Sequence, residues 1–86
     1  MVGVTNAKMA VYSLTEKERN QLSLALRASR EEVGVSQSKI ASEIGCSISH
    51  VRNVEAGGSD PSLGFIVAYA RLLDVEAHSI LRRAAL

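Results

Sequence analysis

The chain has no tryptophan, one phenylalanine and two tyrosines, so rings cannot supply most of its interior. Phe65, Tyr12 and Tyr69 are the whole aromatic set. Leucine, isoleucine, valine and alanine must fill the core instead, which suits short packed helices. Cys46 stands alone, which excludes an intrachain disulfide and fits a reducing cytoplasm. It has no second thiol at ligand spacing, and His50 and His78 are far apart, so no metal is expected. Cys46 reads as a packed thiol beside a helix start. No apolar stretch approaches the roughly 20 residues that span a bilayer, so no membrane partner is expected. The first twelve residues carry neither a long apolar core nor a basic cluster, and no signal peptide is read there. Nucleophile–base pairs, metal clusters and phosphate-cradling glycine loops are missing as well, so neither an enzyme nor a cofactor is expected. An excess of positive charge is also lacking. The net charge is +1, whereas many nucleic-acid binders are strongly basic. Attraction to phosphate would have to come from local arrangement, with weak nonspecific binding and pairing of two copies to reach useful affinity.

What is present is 86 residues with 47% apolar content, room for one compact domain with a thin stability margin. Thr15 and Glu18 have capping-box spacing, which starts a first helix by satisfying early amides reciprocally. Leu22, Ala25, Leu26, Ser29 and Val33 then fall on one face. Gly34 ends it, where a left-handed residue is favoured. Ser36 caps a short second helix with Ile40, Ala41 and Ile44 inward, stopped by Gly45. Ser47 caps a third, with Val51 and Val54 inward, ending before Gly57. Residues 57–61 are a loop by composition. Pro61 fits the first position of a fourth helix with Asp60 as its cap, and Ser62 is the other available cap. Its stripe reads Leu63, Ile66, Val67, Ala70 and Leu73. A fifth helix runs from Glu76 or Ala77 toward Ala84, with Arg82 and Arg83 complementing the dipole at its end. Residues 1–14 read either as a frayed tail or as an arm that meets a partner or a second copy; residues 15–86 form the domain.

Two short helices joined by Gly45-Cys46-Ser47 follow the helix-turn-helix plan, in which the second helix lies in the major groove of duplex DNA. On a helical wheel Val51, Val54 and Glu55 cluster on one side, while Ser49, Arg52 and Asn53 point the opposite way. Arginine can read guanine and asparagine adenine through paired hydrogen bonds, and serine can bond to bases or phosphate. A merely solvated polar face has the same pattern. Ile48 and His50 lie on the flanks. Ile48 suits either a thymine methyl or the edge of the core, and a protonated His50 suits phosphate. Glu55 on the inner side is unusual, because a buried carboxylate needs partners.

Gly34-Val35-Ser36-Gln37, Ile40-Ala41, Ile44-Gly45-Cys46-Ser47, Val51, Val54-Glu55-Ala56-Gly57 and Asp60-Pro61-Ser62-Leu63 together resemble the phage repressor and Cro-like family, the XRE group of transcriptional regulators. The resemblance covers about residues 19–81. It implies an all-α, compact five-helix, lambda-repressor-like domain that regulates transcription, repressor-like, by binding duplex DNA as a cytoplasmic homodimer. It also implies that Gln37 contacts backbone phosphate and supports the recognition helix, and that Glu55 pairs with Arg30 of the first helix as a structural ion pair. Ser36, Ser38, Ser47 and Ser59 join Gln37, Ile48, Ser49, His50, Arg52 and Asn53 as expected DNA contacts. Family members often carry Lys or Arg in the loop after the recognition helix. Here Gly58, Ser59 and Asp60 stand instead, and Asp60 should repel phosphate. That loop and the near-neutral charge favour the competing function, an antitoxin or anti-regulator that works through a protein partner.

Overall fold

Side-chain caps and left-handed stops delimit five helices in the computed structural model, which describes residues 12–86. Helix α1 spans Glu16–Val33, α2 Gln37–Ile44, α3 Ile48–Glu55, α4 Leu63–Leu73 and α5 Ala77–Arg83. The expected arm at residues 1–14 lies, for residues 1–11, outside the described residues. Thr15 Oγ1 accepts from the Glu18 N–H at 3.1 Å, and the Glu18 carboxylate accepts from the Thr15 N–H at 2.9 Å. That closed box fixes where α1 begins.

All five helices end alike. A left-handed residue follows each helix, directly after α1, α2 and α4 at Gly34, Gly45 and Asp74, and one residue later after α3 and α5 at Gly57 and Ala85. The amide of the next residue returns to a carbonyl five positions back: Val35 to Arg30, Cys46 to Ala41, Gly58 to Asn53, Val75 to Ala70 and Leu86 to Leu81. These are Schellman endings, which satisfy orphan carbonyls and turn the chain sharply.

Leu22 and Leu26 of α1, Ile40 of α2, Val51 and Val54 of α3, Tyr69 and Leu73 of α4 and Ile80 of α5 meet in one core. Each such aliphatic side chain contributes about 1.5–3 kcal/mol by leaving water. Helices α2 and α3 pack most closely on each other, and α1 backs α3, α4 and α5. Val35, Ile44, Cys46 and Ile48 are partly buried against the rim of that core.

Three apolar positions differ from the sequence expectation. Val33 is 50% exposed at the end of α1, because the chain turns away at Gly34. On α4, Leu63 and Val67 are exposed, and Phe65 and Tyr69 take the inner face with Ile66, Ala70 and Leu73. The cap of α4 also resolves: Ser62 Oγ accepts from the Phe65 N–H at 3.0 Å, so Pro61 precedes the cap and does not occupy the first helical turn. Asp60 accepts instead from the Leu14 N–H at 2.9 Å and lies 3.8 Å from the Arg19 guanidinium. Its charge is thereby balanced by a cation of α1.

Candidate nucleic-acid interface

The α2–turn–α3 unit presents two helix N-termini, capped by serines. Ser36 Oγ accepts from the Lys39 N–H and Ser47 Oγ from the His50 N–H, both at 3.0 Å. Each capping hydroxyl keeps its own proton to donate outward, and the first amides of both helices carry partial positive charge suited to an anion. Ser36, Ser38 and Ser47 are exposed around these ends.

Helix α3 separates its faces sharply. Val51, Val54 and Glu55 are buried, and Ser49, His50, Arg52 and Asn53 are exposed. Ile48 is half-buried against the core, and the His50 ring stands edge-on to Phe65 with centroids 5.4 Å apart. Among the described residues Arg52 has no carboxylate partner, whereas Lys39 pairs with Glu43 at 3.1 Å. Ser59 is placed differently from Ser36, Ser38 and Ser47: its Oγ is buried with no hydrogen-bond partner among the described residues. A phosphate contact at Ser59 would therefore have to come from its backbone.

Behind α3 a buried polar cluster holds the helix in place. Arg30 Nε donates to Glu55 Oε2 at 2.8 Å and Nη2 to Oε1 at 2.9 Å, a two-pronged ion pair from α1 to the end of α3. Gln37 Nε2 donates to Glu55 Oε1 at 3.0 Å, so the first residue of α2 is bound to the same carboxylate. The Tyr69 hydroxyl of α4 lies 2.7 Å from Glu55 Oε2 and 2.9 Å from the Leu26 carbonyl oxygen. Four helices thus converge on one carboxylate that is 2% exposed. Burial alone would push the Glu55 carboxyl up, but hydrogen bonds from Arg30, Tyr69 and Gln37 outweigh it and hold the carboxyl below its usual range. Burial, with the adjacent carboxylate second, pushes the Tyr69 phenol far above its ordinary value. The phenol stays neutral and donates, while the carboxylate stays charged and accepts.

Two participants were not singled out from sequence. Tyr69 carries a polar tip in the middle of an otherwise apolar run of α4, and a buried phenol needs an acceptor. Arg19 gave no sequence signal, yet it donates to the carbonyls of Leu14 at 2.9 Å and Gly57 at 3.3 Å and faces Asp60. It ties the loop after α3 to the start of α1.

A short helix, a glycine turn and a second short helix, with the second anchored from behind and polar on its outer side, match the family model described as a helix-turn-helix domain over residues 21–83. The chain belongs to the helix-turn-helix domain family. Within it the chain is of the phage-repressor and Cro-like kind. This helix-turn-helix domain superposes on the crystal structure of the clp gene regulator ClgR from Corynebacterium glutamicum with a TM-score of 0.76 and 25% identity, covering 79% of this chain and 72% of that one. With the restriction-modification controller protein C.AhdI from Aeromonas hydrophila the TM-score is 0.68 and the identity 32%, over 72% of this chain and 94% of that one. In sequence, the domain is 41% identical over 51 residues to the uncharacterized HTH-type transcriptional regulator y4dL of Sinorhizobium fredii. That stretch is 59% of this chain and 26% of the relative, so the match spans about a quarter of the relative's length. Among the described residues no helix is long and apolar enough to cross a membrane, and no three metal-ligating side chains come together.

Proposed function

We propose that this helix-turn-helix domain is a sequence-specific, repressor-like regulator that binds duplex DNA as a homodimer with α3 in the major groove. One observation carries the reading: Ser49, Arg52 and Asn53 share the exposed side of a helix whose opposite side is fastened to three other helices through Glu55. A rigid helix with unpaired donors outward loses little freedom on docking. Arg52 reads guanine and Asn53 adenine, each worth about 1–3 kcal/mol of discrimination against the wrong base. Ser49 bonds to a base or phosphate, and Ile48 contacts a thymine methyl at the groove edge. Ser36, Ser38, Ser47 and His50 contact phosphates around the two helix N-termini, which positions α3 without reading sequence. Gln37 joins them through the amide hydrogen that Glu55 leaves unused. One domain reads few base pairs, so two copies on half-sites about one helical turn apart supply the rest of the specificity. The setting is the cytoplasm, on the nucleoid.

Selection of bound duplexes from a random library tests this directly. The wild type should enrich a palindromic motif, and Arg52→Ala and Asn53→Ala should each relax one position within each half-site. No enrichment at low salt would remove the proposal. The net charge of +1 and the absence of Lys or Arg from residues 57–60 favour a second reading, an antitoxin or anti-regulator acting through a protein partner. A stoichiometric partner recovered with the chain from its native host, together with failed DNA selection, would establish it.

A further inference from the structure

The bonds that end α3 fold the following loop back onto its outer face. Gly57 is left-handed at φ 79°, its N–H donates to the Val54 carbonyl at 3.1 Å, and the Gly58 N–H donates to the Asn53 carbonyl at 2.9 Å. A Schellman ending brings the residue after the left-handed one against the side chain five positions earlier. At the other four ends that residue carries a side chain: Val35, Cys46, Val75 and Leu86. Only α3 has a glycine there. A Cβ built on Gly58 would lie 2.1 Å from Asn53 Oδ1 and 3.0 Å from its Cγ. The carboxamide of Asn53 therefore occupies the volume that any other residue at position 58 would fill.

We infer that Gly58 is a specificity-determining residue for DNA reading, which touches no base and acts by seating the Asn53 carboxamide on its bare Cα. The inference rests on α3 being the base-reading helix. To accept from and donate to one adenine edge, Asn53 must hold its amide plane aligned with that edge. The torsion that turns this plane is soft and broad in a free side chain. Resting Oδ1 against Gly58 restricts that torsion before DNA arrives and turns the amide nitrogen away from the loop. Less freedom is then lost on binding. A methyl group at position 58 displaces the carboxamide and removes the seat.

Gly58→Ala is a clean perturbation. Gly58 is outside the left-handed region, unlike Gly57, so alanine suits its backbone. Its amide bond to Asn53 is retained, and the backbone oxygen of Asn53, 3.3 Å from the new Cβ, needs to give by only a few tenths of an ångström. The main movement falls on the tip of an exposed side chain.

The test compares wild type, Gly58→Ala, Asn53→Ala and the double variant by duplex selection, then by titration of the selected duplex and its single-base variants. Gly58→Ala should melt within a few degrees of wild type and lose about three- to tenfold in affinity. It should broaden the preference only at the position that Asn53→Ala broadens, and should change nothing further in the Asn53→Ala background. In the DNA-free protein, the side-chain amide resonances of Asn53 should move between wild type and Gly58→Ala. Unchanged resonances, or wild-type preference in Gly58→Ala while Asn53→Ala is impaired, overturn the role of Gly58 and leave the reading of α3 standing. A uniform loss over all duplexes with a lowered melting temperature also overturns it, since position 58 would then act through folding. Asn53→Ala with unaltered preference sinks the base-reading role of Asn53 itself, and this inference with it.

Discussion

Replacing Glu55 with glutamine keeps the side-chain shape and deletes one buried charge, which isolates what fastens α3 to the rest of the fold. In the wild type, Oε1 accepts from Arg30 and Gln37 and Oε2 from Arg30 and Tyr69. Glutamine offers a single oxygen, so whichever way its amide is turned, an NH2 faces two donors. Arg30 keeps its charge with only 11% of its side chain exposed. Stranding one partner of a buried pair costs about 3–5 kcal/mol. The whole domain of 86 residues is held by about 4–13 kcal/mol at typical stability per residue. For a domain of this size each kcal/mol moves the melting temperature by about 4–8 °C, so Glu55→Gln should melt at least about 12 °C lower. Urea unfolding followed by circular dichroism at pH 7, with thermal melts beside it, measures this. The acid limb gives a second readout. The Glu55 carboxyl lies below its ordinary value of 4.5 in the fold, so its stabilisation is complete above that pH. It is lost as pH falls through the lower folded-state value, because the unfolded chain binds the proton first. Glu55→Gln should flatten that part of the stability profile. A loss under about 1 kcal/mol with an unchanged acid limb would refute the argument that this cluster anchors the helix.

Tyr69→Phe removes the phenol that donates to Glu55 and should cost about 1.5–3 kcal/mol by urea unfolding. The folded phenol keeps its proton past the ordinary value of 10.0, so wild-type stability should fall as pH rises beyond that point; the decline should be shallower in the variant. Equal alkaline limbs would count against a buried neutral phenol. Gly57→Ala meets both a left-handed φ of 79° and a Cβ position 2.6 Å from Asn20 Oδ1, whereas Gly45→Ala at φ 86° meets open space. The backbone alone costs about 1–2 kcal/mol, so Gly57→Ala should be the more destabilising of the two, and the reverse order would contradict the packing described for this loop.

Much of the path of the chain was written locally. Thr15 with Glu18, Ser36 and Ser47 are caps that act within three residues, and glycine at 34, 45 and 57 relieves a strain that any side chain would meet there. Those signals need no knowledge of the rest of the molecule. The stops at Asp74 and Ala85 were harder to see, because neither residue type favours the left-handed region as glycine does. The cap of α4 was ambiguous for a related reason. Asp60 and Ser62 are both good caps, and only a distant pair of groups, the Leu14 amide and Arg19, draws Asp60 away.

The sequence by itself determined five helices, their order, and which side of α3 is polar, since an eight-residue helix with two valines inward leaves one orientation. It did not choose the inner face of α4. Leu63, Phe65, Ile66, Val67, Tyr69, Ala70, Leu72 and Leu73 are apolar nearly all round the helix, so periodicity offers two overlapping stripes of similar merit. The tertiary structure decided between them. The face with Tyr69 inward fills the centre and also delivers a hydroxyl to Glu55, whereas the face with Leu63 and Val67 inward would leave that carboxylate one donor short. A hydrogen bond between residues 14 positions apart has no local signature, because it exists only when Arg30, Gln37, Glu55 and Tyr69 are brought together by packing.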